Sequence, residues 1–347
     1  MVYIRVDGNP VIGAGHIMRC ISIAEALMDV GVRTEFLLAD DTFVQMLNGR
    51  GISARVLDSE YDAMEQELDS IRRINSEQSA ELCLVDSYHV TEGYLSALGQ
   101  ITKVAYLDDR MAFPYPVDYL INYNIYADRS EYLGLYQDNG KCPEFLLGCD
   151  YVPLRKEFCD VSIAERPGGR KVFLSSGGAD PEHVELKLLQ AILEQKERFE
   201  GYEFHFVVGA MNPDWPVLNN LARGKQNIIL HRNVTQMSRL MLECDLAVSA
   251  AGSTLYELCA CGLPIITYVT ADNQIAGGEA FGQKGNAIYT GDIRENPSWV
   301  EDIFQALERA SGDHELVCGM SLQARGLVDG MGAFRIAEAL TQEKKGK

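Results

Sequence analysis

A chain of 347 residues, 47% hydrophobic and 23% charged, is longer than a single hydrophobic core usually grows, so two domains are expected. The formal net charge is −19, from 50 acidic and 31 basic side chains, and no basic run precedes the last few residues, which argues against nucleic acid as a partner. No apolar run approaches the roughly 20 residues of a membrane-spanning helix, so no membrane span is expected and the protein is predicted to be cytoplasmic.

The first element is Val2-Tyr3-Ile4-Arg5-Val6-Asp7, a strand pattern rather than the basic, apolar start of a secretion signal. Ile17, Ile21, Ala24, Leu27 and Met28 then recur at helical spacing, with Gly31 as a stop. Further strands are predicted at 34–39, 54–58, 82–87, 103–108 and 118–122. A polar stretch with a proline and two glycines, 164–170, reads as an interdomain linker. Beyond it the same alternation restarts, with strands at 171–174, 203–208, 227–231, 246–250, 264–269 and 287–290. Helices fill the last 40 or so residues. Strand and helix in regular alternation predict α/β architecture: two Rossmann-like parallel-sheet domains facing a cleft. The domains are set at 1–160 and 161–330, with a C-terminal helix and tail over 331–347; that this helix packs back across the first domain is expected by analogy and not from its pattern. Ligands of such sheets bind beyond the carboxyl ends of the strands.

Three loops at such ends carry chemistry. Gly13-Ala14-Gly15-His16 follows the first strand and opens the first helix. Its glycines allow close backbone approach, and the helix dipole disfavours a further positive charge at its start, so His16 is fit to accept a proton from water. A capping or core histidine is the competing reading. Met18 stands where a dinucleotide fingerprint needs its third glycine, which speaks against a nicotinamide cofactor. Ser249-Ala250-Ala251-Gly252-Ser253-Thr254-Leu255-Tyr256-Glu257 is a strand end, a small-residue turn and a helix start. Gly252 with the N–H and hydroxyl groups of Ser253 and Thr254 suits a diphosphate, and Glu257, one turn on, can accept from ribose hydroxyls. A helix N-cap with a first-turn acid is the plainer alternative. Ser175-Ser176-Gly177-Gly178-Ala179-Asp180-Pro181 suggests a second backbone wall around phosphates at Gly177 and Gly178. Asp86-Ser87-Tyr88-His89, Asp108-Asp109 and Asp272-Asn273-Gln274 are polar clusters after strands; Asp86, Tyr88, Asn273 and Gln274 are counted as substrate-binding, together with Gly13, Gly15, Arg19, Val234 and Met237. The nine cysteines lack the paired spacings of a zinc site, and Cys259-Ala260-Cys261 reads as buried thiols.

Ile12-Gly13-Ala14-Gly15-His16-Ile17-Met18-Arg19-Cys20, with Arg5 and Asp7 upstream, resembles the opening motif of the UDP-2,4-diacetamido-2,4,6-trideoxy-β-L-altropyranose hydrolase family of pseudaminic acid biosynthesis, which related spore-coat polysaccharide proteins share. Asp86-Ser87-Tyr88, Asp108-Asp109, Leu154-Arg155-Lys156-Glu157-Phe158, Gly177-Gly178-Ala179-Asp180-Pro181, Gly252-Ser253-Thr254 with Glu257, and Asn273-Gln274 follow in the family's order. The resemblance implies a GT-B-like domain pair related to the MurG glycosyltransferases, acting on a UDP-sugar and releasing UDP to water. It implies His16 as general base, Ser253, Thr254 and Glu257 as UDP ligands, and neither metal nor cofactor. Tyr256 stands where tryptophan is frequent, Ala251 where a second glycine is usual, and Tyr88-His89 where tyrosine then glycine is common. These departures leave the sugar open. A glycosyltransferase using the same UDP grip is the main alternative.

Overall fold

The structure, a computed structural model, describes residues 1–9, 13–138, 142–162 and 169–342. Most of the linker expected over 164–170 lies outside the described residues, as do Ile12 of the opening motif and the end of the tail. The chain forms two compact units, Met1–Lys156 with Met331–Lys347, and Glu157–Gly330. Among the described residues no helix is long and apolar enough to cross a membrane.

The first unit is built on a seven-stranded sheet of β1 (Val2–Val6), β2 (Thr34–Leu38), β3 (Ser53–Val56), β4 (Leu82–Asp86), β5 (Lys103–Leu107), β6 (Tyr119–Asn122) and β7 (Glu144–Leu147). Its order is β3-β2-β1-β4-β5-β6-β7, and every pairing is parallel. Both faces are covered, so β1 and β4 are buried along their whole length, which accounts for their continuous apolar reading. Arg5, in the middle of β1, is tolerated there because Glu67 takes its guanidinium through two bonds of 2.6 and 2.7 Å. The strand β7 has no counterpart in the sequence reading. Four residues after Pro143 are too few to show a period, and the element exists through its pairing with β6. The helix Gly332–Thr341 packs on the helix Gly15–Asp29 with Ala333, Ile336 and Ala337 buried. The start of this helix also lies against the chain at Val152, where Gly332 is required because a Cβ would lie 2.2 Å from the Val152 carbonyl oxygen.

The second unit holds a six-stranded parallel sheet of β8 (Lys171–Ser175), β9 (Glu203–Val207), β10 (Ile228–His231), β11 (Leu246–Ala250), β12 (Ile265–Val269) and β13 (Ala287–Asp292), in the order β10-β9-β8-β11-β12-β13. All six strands expected in this half are present. Phe199 anchors its core, edge-on to Phe204 at 5.5 Å and to Phe304 at 4.7 Å. Cys259 and Cys261 are fully buried, as small apolar residues are. In each unit the strand order reverses beside the unit's first strand, between β1 and β4 and between β8 and β11. A crevice opens at such a reversal, because the connections leave it in opposite directions.

Candidate active site

The first reversal brings the end of β1 beside the end of β4. Gly13 donates its N–H to the Asn9 carbonyl at 2.8 Å and turns the chain at φ +76°, a conformation that glycine adopts without steric cost. The helix Gly15–Asp29 starts there with no side-chain cap, and His16 is its second residue. The His16 Nδ1 lies 2.5 Å from Oδ1 of Asp86, the last residue of β4, which is 1% exposed. Arg19, one turn along the same helix, grips that carboxylate through Nε (2.6 Å) and Nη2 (2.5 Å). Its Nη1 donates to Asp109 beyond β5 (2.9 Å) and to the Tyr123 hydroxyl beyond β6 (2.8 Å). Tyr88 sets its ring edge-on to His16 at 4.7 Å and donates its hydroxyl to Asp109 at 3.1 Å. Asn124 donates to the other Asp109 oxygen at 3.0 Å.

Charge decides how these groups are protonated. Burial alone would raise the Asp86 carboxyl, but the Arg19 guanidinium and then His16 outweigh it and hold the group well below the usual carboxylate range. An ionised carboxylate only accepts and an arginine only donates. The proton between Asp86 and His16 therefore sits on Nδ1, so the neutral tautomer of this ring is the one with its lone pair on Nε2. The Arg19 Nη2, 3.1 Å from Nδ1, is then a neighbour on the shared carboxylate oxygen and not a donor to the ring. Burial, and next the Asp109 charge, push the Tyr88 phenol well above its ordinary value, so it stays a donor at neutral pH.

The two aspartates after β5 part company. Asp109 joins the cluster. Asp108 accepts from the Arg110 and Met111 N–H groups and from the hydroxyls of Tyr115 (2.9 Å) and Tyr132 (2.5 Å), and so ties down the turn beneath it.

The second reversal brings the turn after β8 beside the loop after β11. Gly177 and Gly178 are exposed, with Gly177 at φ +90°. Their carbonyls press on Gly209, where a Cβ would lie 2.1 Å from the Gly178 oxygen. Ser176 donates its N–H to Glu185 at 3.0 Å and shares a 2.7 Å hydrogen bond between its hydroxyl and that of Tyr268. Across the reversal, Gly252 and Ser253 lead into the helix Thr254–Ala260. Ser253 occupies the N-cap position with Glu257 as the first-turn acid, as the plainer alternative has it, but it is exposed and its side chain makes no capping bond. Thr254 and Glu257 are half-buried on the same helix. Gln274 spends its carbonyl oxygen on the Thr270 N–H (2.9 Å) and hydroxyl (3.1 Å), which holds the loop after β12, and Asn273 is exposed beside it. Val234 and Met237 are half-buried after β10; Met237 opens the helix Met237–Glu243. Glu157, from the Leu154–Phe158 motif, steadies that helix by accepting from the Ser238 N–H and hydroxyl at 3.1 and 3.2 Å.

The fold thus gathers His16, Arg19, Asp86 and Tyr88, with Gly13 and Gly15 at their edge, into one cluster. Gly177 and Gly178 form one wall of the second crevice, and Gly252, Ser253, Thr254 and Glu257 another, while Val234, Met237, Asn273 and Gln274 lie on other loops of that unit. Sequence reasoning missed Tyr123 and Asn124, although their place just after a strand was a usable signal. It also missed Glu185, which reads as an ordinary first-turn acid of the helix Val184–Glu194.

The C-terminal domain of glycosyltransferase family 28 matches residues 184–314. The chain is 25% identical, over 74% of its length and 86% of the relative's, to the UDP-2,4-diacetamido-2,4,6-trideoxy-β-L-altropyranose hydrolase of Campylobacter jejuni. It is 26% identical, over 49% of its length and 50% of the relative's, to the spore coat polysaccharide biosynthesis protein SpsG of Bacillus subtilis. The chain spans about half the length of SpsG and of a similar, uncharacterized protein of Methanocaldococcus jannaschii (50% and 54%). The resemblance read from the motifs is borne out. Among solved structures, MnaA of S. aureus in complex with UDP aligns over 98% of this chain and 95% of that one, with a TM-score of 0.67 at 10% identity. The spinosyn rhamnosyltransferase SpnG aligns over 97% and 99%, with a TM-score of 0.67 at 15% identity. The two units have the Rossmann-like α/β fold of GT-B glycosyltransferases.

Proposed function

We propose that the protein hydrolyses a UDP-linked amino or deoxy sugar in nonulosonic acid or surface-polysaccharide biosynthesis, with His16 as general base. The observation that carries this reading is the 2.5 Å bond from His16 Nδ1 to Asp86, which leaves Nε2 of the neutral ring to accept a proton. Water attacks the anomeric carbon and gives its proton to Nε2, the carbon–oxygen bond to the diphosphate breaks, and its electron pair leaves with UDP. Asp86 balances the charge that the imidazole gains. Arg19 keeps Asp86 ionised and aimed. The backbone around Gly177, Gly178, Gly252, Ser253 and Thr254 is assigned to the diphosphate, where N–H donors meeting the leaving charge supply an electrostatic contribution. Glu257 is assigned to the ribose. The names of the Campylobacter and Bacillus relatives support a UDP-sugar and a polysaccharide pathway.

The test is UDP release without any acceptor, measured on a panel of UDP-N-acetylated sugars by a coupled assay and mass spectrometry of the sugar. Wild type is expected to release free sugar, and His16→Ala to lose about 10²- to 10⁴-fold in turnover while binding UDP nearly as well. A chelator should leave turnover unchanged. The family 28 match favours a second reading, sugar transfer with His16 taking the proton of an acceptor hydroxyl. Tight UDP-sugar binding with no release until an acceptor is added would establish that reading in place of hydrolysis.

A further inference from the structure

Beneath the exposed Gly177–Gly178 turn lies a buried carboxyl to which the reaction assigns no role. Glu185, 0% exposed, accepts from the Ser176 N–H (3.0 Å) with one oxygen and from Asn212 Nδ2 (2.8 Å) with the other. Asn212 is itself buried and holds the Asp214 N–H at 2.8 Å. Glu185 makes no ion pair among the described residues. The titratable groups around it are Asp180, whose carboxylate accepts from the Val184 and Glu185 N–H groups, Asp214 with its partner His183 at 2.6 Å, and the buried Tyr268, which bonds the Ser176 hydroxyl. Two of the nearest are carboxylates, and the one imidazole is engaged by Asp214. An uncompensated negative charge at Glu185 would sit one residue beneath backbone assigned to an anion.

We propose that Glu185 is a positioning residue that shapes the Ser176–Gly178 turn for a diphosphate while its carboxyl is protonated, so that nucleotide binding and protonation of Glu185 are coupled. The neutral group keeps its carbonyl oxygen for the Ser176 N–H, so the turn retains that support without the charge. Burial, against the pull of the Ser176 N–H and with Asp180 adding to it, pushes this carboxyl up to about 8, where the coupling is measurable. The proposal rests on the reading of the second unit as the nucleotide grip.

The experiment is calorimetric titration of the full chain with UDP at pH 7.5 and 9, in two buffers of different ionisation enthalpy. Across that window the terminal phosphate of UDP is already ionised. Wild-type affinity is expected to fall about tenfold, with uptake of a fraction of a proton, up to about one, on binding. Glu185→Gln, neutral at every pH, should show neither. A flat wild-type affinity without proton uptake, or the same fall in the variant, overturns the coupling while leaving UDP binding itself intact. Failure of wild type to bind UDP at any pH overturns the nucleotide-grip reading along with it. Should the variant not fold, proton uptake by wild type decides alone.

Discussion

At His16 the question is which ring nitrogen faces a partner, and Asp86 answers it by taking Nδ1. The aspartate also serves Arg19, so one carboxylate orients the imidazole and neutralises the cation beside it. Asp86→Asn keeps an oxygen for Nδ1 but removes the charge that holds Arg19 and balances the imidazolium. Turnover should fall about 10²-fold or more with little change in KM, seen in steady-state kinetics. Because the pair is buried, the same variant should lose about 3 kcal/mol in denaturant unfolding, and its kinetics belong at a temperature where it is folded. Tyr88→Phe separates two roles of the tyrosine. It keeps the ring edge on His16 and drops only the 3.1 Å bond to Asp109. A loss within about 1 kcal/mol is expected.

At the scale of elements, the turn after β8 is defined by what presses on it. Gly209→Ala would put a Cβ 2.1 Å from the Gly178 carbonyl oxygen, so the turn must shift. A cost of about 1–3 kcal/mol is expected in thermal unfolding, with weaker UDP binding alongside. Gly178→Ala is the matched control, since its Cβ would meet only Met211 Cε at 3.5 Å, an ordinary contact. Its stability should change by under about 1 kcal/mol, so any loss of UDP affinity there reports close approach of the ligand to this backbone. The helix Met237–Glu243 depends on Glu157 in the same way that many helices depend on an N-terminal acceptor, and Glu157→Ala should cost about 1 kcal/mol.

For the whole molecule, two buried carboxyls pull stability in opposite directions with pH. Asp86, held low, contributes stability above its unfolded value that is lost as acid protonates it in the folded chain. Glu185, raised to about 8, retains a proton that the unfolded chain has already released, so stability declines as pH rises from the ordinary carboxylate value through about 8. The melting temperature of wild type should therefore drop between pH 6 and pH 9, and Glu185→Gln should flatten that drop. Legibility in the sequence divides along the same line as locality. The alternation of strand and helix, the restart at Lys171 and the glycine loops with His16 were all readable, because period and turn chemistry act over a few residues. The short edge strand β7 was not, since only its partner makes it a strand. Nor was the pairing of His16 with Asp86, 70 residues apart, of Arg19 with Asp109, 90 apart, or the burial of Glu185. Sequence alone determined two parallel α/β units and the loops at their strand ends. The tertiary structure decided which side chains share a charge, because strand order sets the neighbours of a loop and burial sets the strength of the field between them.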